Sequence, residues 1–161
     1  MTLRMTRRVF VASAAVATLS SRATAQSETV IEMLNKDPEN PRLRMVFSPR
    51  VTVIKPGDTV RFAPTDRGHN SASIDGMLPD GAETWNGKIN EEISVSFPAP
   101  GFYGYKCTPH AATGMVGLVI VEGEGMMANL EAAQGVKQRG RATKVWDEIW
   151  AEVAGMTFAA S

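Results

Sequence analysis

The side chains best suited to chemistry fall within nine positions: Cys107, His110 and Met115, in Cys107-Thr108-Pro109-His110-Ala111-Ala112-Thr113-Gly114-Met115. A second histidine, His69, lies 38 positions before Cys107, in Asp66-Arg67-Gly68-His69-Asn70. The whole chain has one cysteine and two histidines. Taken singly, each has an ordinary explanation: a cysteine packs as a small hydrophobe, and a methionine beside Val116 and Leu118 fills a core. Taken together they point to a metal. One cysteine forbids an internal disulfide, and this thiol stands three positions from one of only two histidines. Two imidazoles and a thiolate with a weak axial thioether are the ligands of a blue-copper site. Thiolate and thioether favour the reduced metal, while imidazole accepts either state. One fixed cage serving both states keeps the reorganisation on electron transfer small.

Other chemistries fit the same residues less well. A copper oxidase or reductase needs further histidines for a second metal and a substrate position, and both histidines are already used. A cysteine nucleophile needs an oriented histidine, and no acid stands close in sequence to orient one. Zinc accepts a Cys/His₂ set but leaves Met115 without a role, and a metal carrier calls for exposed, flexible ligands. An intense blue band in the copper-loaded protein separates electron transfer from these alternatives.

Such ligands need a rigid frame. Between Glu28 and Val121 short apolar runs alternate with Pro/Gly/Asn/Asp turns: Thr29–Leu34, Arg44–Phe47, Val51–Ile54, Thr59–Phe62, Ile93–Phe97, Phe102–Lys106 and Met115–Val121. Seven or eight short strands at this spacing favour an antiparallel sandwich or barrel. The stretch Gly76–Asn90 reads as a long connection. Cys107 then ends one strand and Met115 starts another, with His69 arriving from a loop at the same end. After Gly125 the pattern becomes helical, with Asn129 as an expected cap. Val145, Ile149 and Val153 recur every four residues, giving a helix that lids one sheet.

Composition sets the outer bounds. The chain is 161 residues, with 43% hydrophobic and 21% charged residues, enough for one soluble domain. Its 17 basic and 17 acidic residues cancel, which removes a general case for nucleic-acid binding. Residues 1–25 hold four arginines and no acid, leaving 13 basic against 17 acidic residues in the other 136. Those 25 residues read as an export signal: a basic start, the small and apolar run Val9–Leu19, and Ala23-Thr24-Ala25 as a cleavage site. Thr6-Arg7-Arg8-Val9-Phe10-Val11 resembles a twin-arginine motif. The domain then spans 26–161, with the sandwich about 28–122 and the helices about 127–155. Acids on the last helix disfavour stable membrane association.

At these residues a family likeness emerges. Met33-Leu34-Asn35-Lys36, Met45-Val46-Phe47, Pro56-Gly57-Asp58-Thr59-Val60, Gly68-His69-Asn70, Pro79-Asp80-Gly81-Ala82-Glu83, Lys88-Ile89-Asn90-Glu91 and Lys106-Cys107-Thr108-Pro109-His110 with Gly114-Met115 resemble the pseudoazurins, periplasmic cupredoxins of denitrification. The resemblance implies an all-β, eight-stranded Greek-key cupredoxin β-sandwich with two C-terminal α-helices. It implies one type 1 copper on His69, Cys107, His110 and Met115, and an electron carrier, not an enzyme. It also implies a backbone N–H from Asn70 to the thiolate, a side-chain tie from Asn70 to Thr108, and Met45 beside the His110 ring. Pro109 has no N–H to give the sulfur, and fewer hydrogen bonds there favour oxidised copper. Lys36, Arg67, Lys88 and Lys106 match a basic docking ring, around an apolar rim of Met45, Pro109, Ala111 and Ala112. Lys144 is expected far from it. The partners implied are a cytochrome donor and a nitrite reductase or similar acceptor, met in the periplasm by a monomer. Two departures alter the partner-facing contour: a longer loop from Asp37 to Arg44, and Ala111-Ala112-Thr113 where the family often holds an aromatic and a methionine.

Overall fold

In the first strand, β1 (Glu28–Lys36), Ile31 and Met33 are wholly buried while Glu28, Val30 and Glu32 face outward, as a period of two requires. β2 (Arg44–Ser48), β3 (Val51–Ile54) and β4 (Thr59–Ala63) follow, β4 turning Val60 and Phe62 inward. After β5 (Ala72–Ser73) and β6 (Ile93–Ser96) come β7 (Gly101–Lys106) and β8 (Val116–Val121), then α1 (Leu130–Gly135) and α2 (Arg141–Ala154). The computed structural model describes residues 26–158; the export-signal reading of residues 1–25 lies outside them.

The eight strands form two sheets, in the orders β2-β1-β4-β6 and β3-β8-β7-β5. The antiparallel expectation holds for most pairings but not for two. β1 runs parallel to β4, with Glu28 opposite Thr59, and β3 runs parallel to β8, with Val51 opposite Leu118. The chain leaves β1 through β2, crosses to the other sheet for β3, and returns as β4 in the direction of β1. Periodicity describes each strand alone and carries no trace of that crossover. β5 is too short to show a period at all; it pairs with β7, Ala72 opposite Lys106.

Two layers of core result. Between the sheets lie Ile31, Met33, Phe47, Phe62, Phe97 and Tyr105, with Cys107 and Met115 in the same cluster. On the outer face of the second sheet, Phe102, Val116, Leu118 and Ile120 meet Ala142, Val145, Trp146, Ile149 and Val153 of α2. β8 is therefore buried on both faces, which accounts for its continuous apolar sequence. Each large side chain so buried contributes about 2 kcal/mol. Asn129 stands at the N-cap position of α1, but its side chain makes no capping hydrogen bond. Its Oδ1 accepts the Phe102 N–H at 3.0 Å and its Nδ2 donates to the Phe102 carbonyl at 2.8 Å. β5 does not extend to Phe102, and buried backbone groups there need a partner.

Candidate metal centre

The end of the sandwich where β1 and β7 finish and β8 begins carries the site. Cys107 follows β7 directly and is wholly buried. Residues Thr108–Thr113 then wind into a 3₁₀ turn with Pro109 in its first turn, where a missing N–H costs nothing. That turn lifts His110 to a half-buried position, and Gly114 ends it at φ 99°. Met115, wholly buried, comes one residue before β8 and not within it. The Met115 N–H donates to the His110 carbonyl at 3.1 Å and the Cys107 N–H to the Met115 carbonyl at 3.0 Å. The loop is thus closed on itself before any metal arrives.

His69 comes from the connection between β4 and β5. Cys107 Sγ lies 3.7 Å from His69 Nδ1 and 3.5 Å from His110 Nδ1, and the two nitrogens are 3.1 Å apart. A point equidistant from these three atoms is about 2 Å from each, the length of a metal–imidazole bond. His69 Nε2 is 2.9 Å from Asn35 Oδ1. An amide oxygen only accepts, so Nε2 carries the hydrogen and Nδ1 turns its lone pair inward. Two ring nitrogens and a sulfur then face one point, with the His69 Nδ1 lone pair turned toward it. A cation satisfies that arrangement, and the soft sulfur set with Met115 alongside fits copper. His69, Cys107, His110 and Met115 are positioned as a type 1 copper site.

Electrostatics agree with this reading. Burial pulls His69 below the ordinary histidine range, the neighbouring His110 adds to the effect, and Asp66 opposes it. The ring therefore stays neutral and free to ligate. Burial pushes the Cys107 thiol up, against the backbone N–H groups of Asn70 and His110, which pull it down. Metal uptake must then displace a proton from sulfur. The His110 N–H also donates to the Cys107 carbonyl at 3.1 Å.

The neighbouring residues separate into held and facing groups. Asn70 is buried; its Oδ1 accepts the Thr108 N–H at 2.7 Å, and its Nδ2 donates to Thr108 Oγ1 at 3.0 Å and to the Gly87 carbonyl at 2.9 Å. The His69 loop is clipped twice more. Asp66 Oδ2 accepts the Asn35 N–H at 2.7 Å, and Asn90 Oδ1 accepts the Gly68 N–H at 2.6 Å. Met45 packs against the cluster holding Cys107 and Met115, at φ 53°. Lys36, Arg67 and Lys88 are exposed, and Lys36 and Arg67 stand one and two residues from Asn35 and His69. Lys106 is half-buried and flanks the site beside Ala72, Asp75 and Thr108. Lys144 is not remote as expected: α2 begins against the copper loop, where Arg141 lies over Gly114. Sequence reasoning gave no role to Asn35. Its signal was available, since residue 35 continues the inward-facing set of Ile31 and Met33 and places a polar side chain at the end of a core-facing row.

Comparison with known proteins decides the family. A family model for copper binding proteins of the plastocyanin/azurin family matches residues 33–122. The pseudoazurin of Methylorubrum extorquens is 39% identical over 142 residues, 88% of this chain and 93% of that protein. The chain belongs to the pseudoazurins. A second pseudoazurin, from Paracoccus pantotrophus, is 41% identical over 143 residues, 88% of this chain and 95% of its own. The solved structure of a Sinorhizobium pseudoazurin superposes with a TM-score of 0.75 at 45% identity, covering 81% of this chain and 98% of that one. The cupredoxin sandwich with C-terminal helices is thereby shown, and with it a blue-copper electron carrier and not an enzyme. Copper bound at the site supplies a one-electron couple. The residues around it do the rest: Asn35 holds the His69 tautomer, and Asn70 ties the cysteine loop to the histidine loop.

Proposed function

We propose that the protein is exported to the periplasm by its N-terminal 25 residues and works there as a monomer. It takes single electrons from a cytochrome and delivers them to a denitrification reductase such as copper nitrite reductase. One observation carries the reading: of the four ligands, His110 alone reaches the surface, while His69, Cys107 and Met115 are wholly buried. The His110 edge is therefore the electron port. Around it Pro109, Ala111 and Ala112 form an apolar rim that lets a partner approach without stripping water from charge. Lys36, Arg67, Lys88 and Lys106 flank that rim, and none of them is ion-paired among the described residues. A net-acidic molecule with basic groups at one end orients in the field of an acidic docking patch, which raises the association rate.

Stopped-flow mixing of the reduced, copper-loaded protein with copper nitrite reductase tests this. Rapid appearance of the blue band as the reductase and nitrite take up its electrons, slowed by added salt, is the expected result. A blue protein that takes electrons from a cytochrome but does not pass them to this reductase would remove the acceptor and leave the carrier.

A further inference from the structure

We infer that the start of helix α2 is the second clamp on the copper loop, and that Val145 is a positioning residue for His110 and Met115. The first clamp, Asn70 on Thr108, holds only the beginning of the loop. At its far end, Ala112–Gly114, the Gly114 carbonyl accepts the Val116 N–H of β8 at 3.0 Å. There α2 approaches to backbone contact. A Cβ on Gly140 would stand 2.5 Å from the Ala112 carbonyl oxygen. A Cβ on Gly114 would stand 2.9 Å from Val145 Cγ2, with Arg141 Cγ at 3.5 Å. Both glycines also have positive φ, 61° and 99°, so conformation and space both exclude a side chain.

The consequence for the ligands follows from the loop's own hydrogen bonds. The His110 carbonyl accepts from Thr113 Oγ1 at 2.7 Å and from the Met115 N–H at 3.1 Å. The Gly114 N–H donates to the Ala111 carbonyl at 2.9 Å. Gly114 is therefore the joint between His110 and Met115, and the Val145 methyls press on that joint from outside. A helix that also covers the hydrophobic sheet face thereby limits how far the two ligands can move apart. In a site that must hold one geometry for two oxidation states, such a wall lowers reorganisation.

Val153 supplies a matched control. It lies on the same helix, is buried like Val145 (5% against 8% exposed), and sits about 12 Å farther along the axis. We expect Val145→Ala to speed amide hydrogen exchange at Gly114 and Met115 in the copper-free protein severalfold beyond any change in global stability. In the loaded protein it should shift the ratio of the charge-transfer bands and hasten copper loss to a chelator severalfold. Val153→Ala should lose similar stability and leave all three readings unchanged. Gly114→Ala should disturb the site less in the Val145→Ala background than alone, because the strain of alanine at φ 99° is common to both and cancels. Equal effects of the two valine variants, or no coupling between positions 114 and 145, would overturn the inference. Because the exchange readout needs no metal, it fails or succeeds independently of how copper sits.

Discussion

His69 Nε2 and Asn35 Oδ1 lie 2.9 Å apart, which makes the end of β1 part of the metal site although it supplies no ligand. The contact selects one tautomer and one ring orientation. It also joins the first sheet to a site whose other residues come mostly from the second.

Asn35→Leu should therefore weaken copper binding by about 10–100-fold, the usual cost of removing a hydrogen bond behind a metal-bound histidine. Competition against a chelator at fixed pH measures it. The Asn35→Asp variant should retain most of the affinity, since a carboxylate accepts the same hydrogen. Full affinity in Asn35→Leu would show that packing alone orients His69.

Cys107→Ser should abolish the blue band while leaving a folded protein, because the thiolate supplies the charge transfer and the two core layers supply the stability. The expected stability change is small, within about 1–3 kcal/mol. Absorption and circular dichroism read the two properties separately. A blue Cys107→Ser protein would sink the ligand assignment.

Asn70→Ala should destabilise even the copper-free protein by about 2–4 kcal/mol, because it leaves the Thr108 N–H and the Gly87 carbonyl without their partner. Thr108→Ala should cost much less, since it removes only the hydroxyl end of the tie. Urea midpoints at neutral pH compare them. Equal losses would mean that the hydroxyl, and not the backbone bonds, carries the tie.

Acid should loosen the opposite end of the sandwich first. Asp58 Oδ1 accepts the Ser27 N–H at 2.9 Å and Oδ2 the Lys55 N–H at 3.0 Å. These bonds, Ser27's first, hold its carboxyl below the ordinary carboxylate range. A depressed native pKa adds stability that is complete above the unfolded value and lost as pH falls through the native one. The urea midpoint should thus drop as pH falls below about 5, through the unfolded carboxylate value and on toward the lower native one. Asp58→Asn should start lower at pH 7 and show a shallower drop. A parallel drop in both would assign acid sensitivity elsewhere.

For docking, the informative contrast is Lys36→Glu against Lys55→Glu. Both change net charge equally, but Lys36 adjoins Asn35 at the copper end, while Lys55 lies beyond β3 at the other end of the sandwich. Association with an acidic reductase should slow more for Lys36→Glu, and the gap should close as salt rises. Equal slowing would mean that net charge alone governs the encounter. Lys144 is a poor control, being one turn from Arg141 on the helix end that touches the copper loop.

Much of the site is written in local sequence. Cys107, His110 and Met115 lie on one loop, so their spacing alone restricts the geometry, and the scarcity of cysteine and histidine makes His69 the natural fourth member. Strand alternation likewise reveals β1, β4 and β6, because a half-buried strand must repeat every two residues. Tertiary structure decided what depends on distant segments meeting. The parallel pairing of β1 with β4 follows from a crossover no strand records, and β5 exists only because β7 offers it an edge. The Asn129 side chain, at the N-cap position of α1, turned to Phe102 because buried backbone groups there needed a partner within reach. Asn35 met His69, and Val145 met Gly114, across 34 and 31 residues of chain. Contacts of that kind arise from packing two layers against each other, and a sequence read one segment at a time holds only the shapes of the pieces.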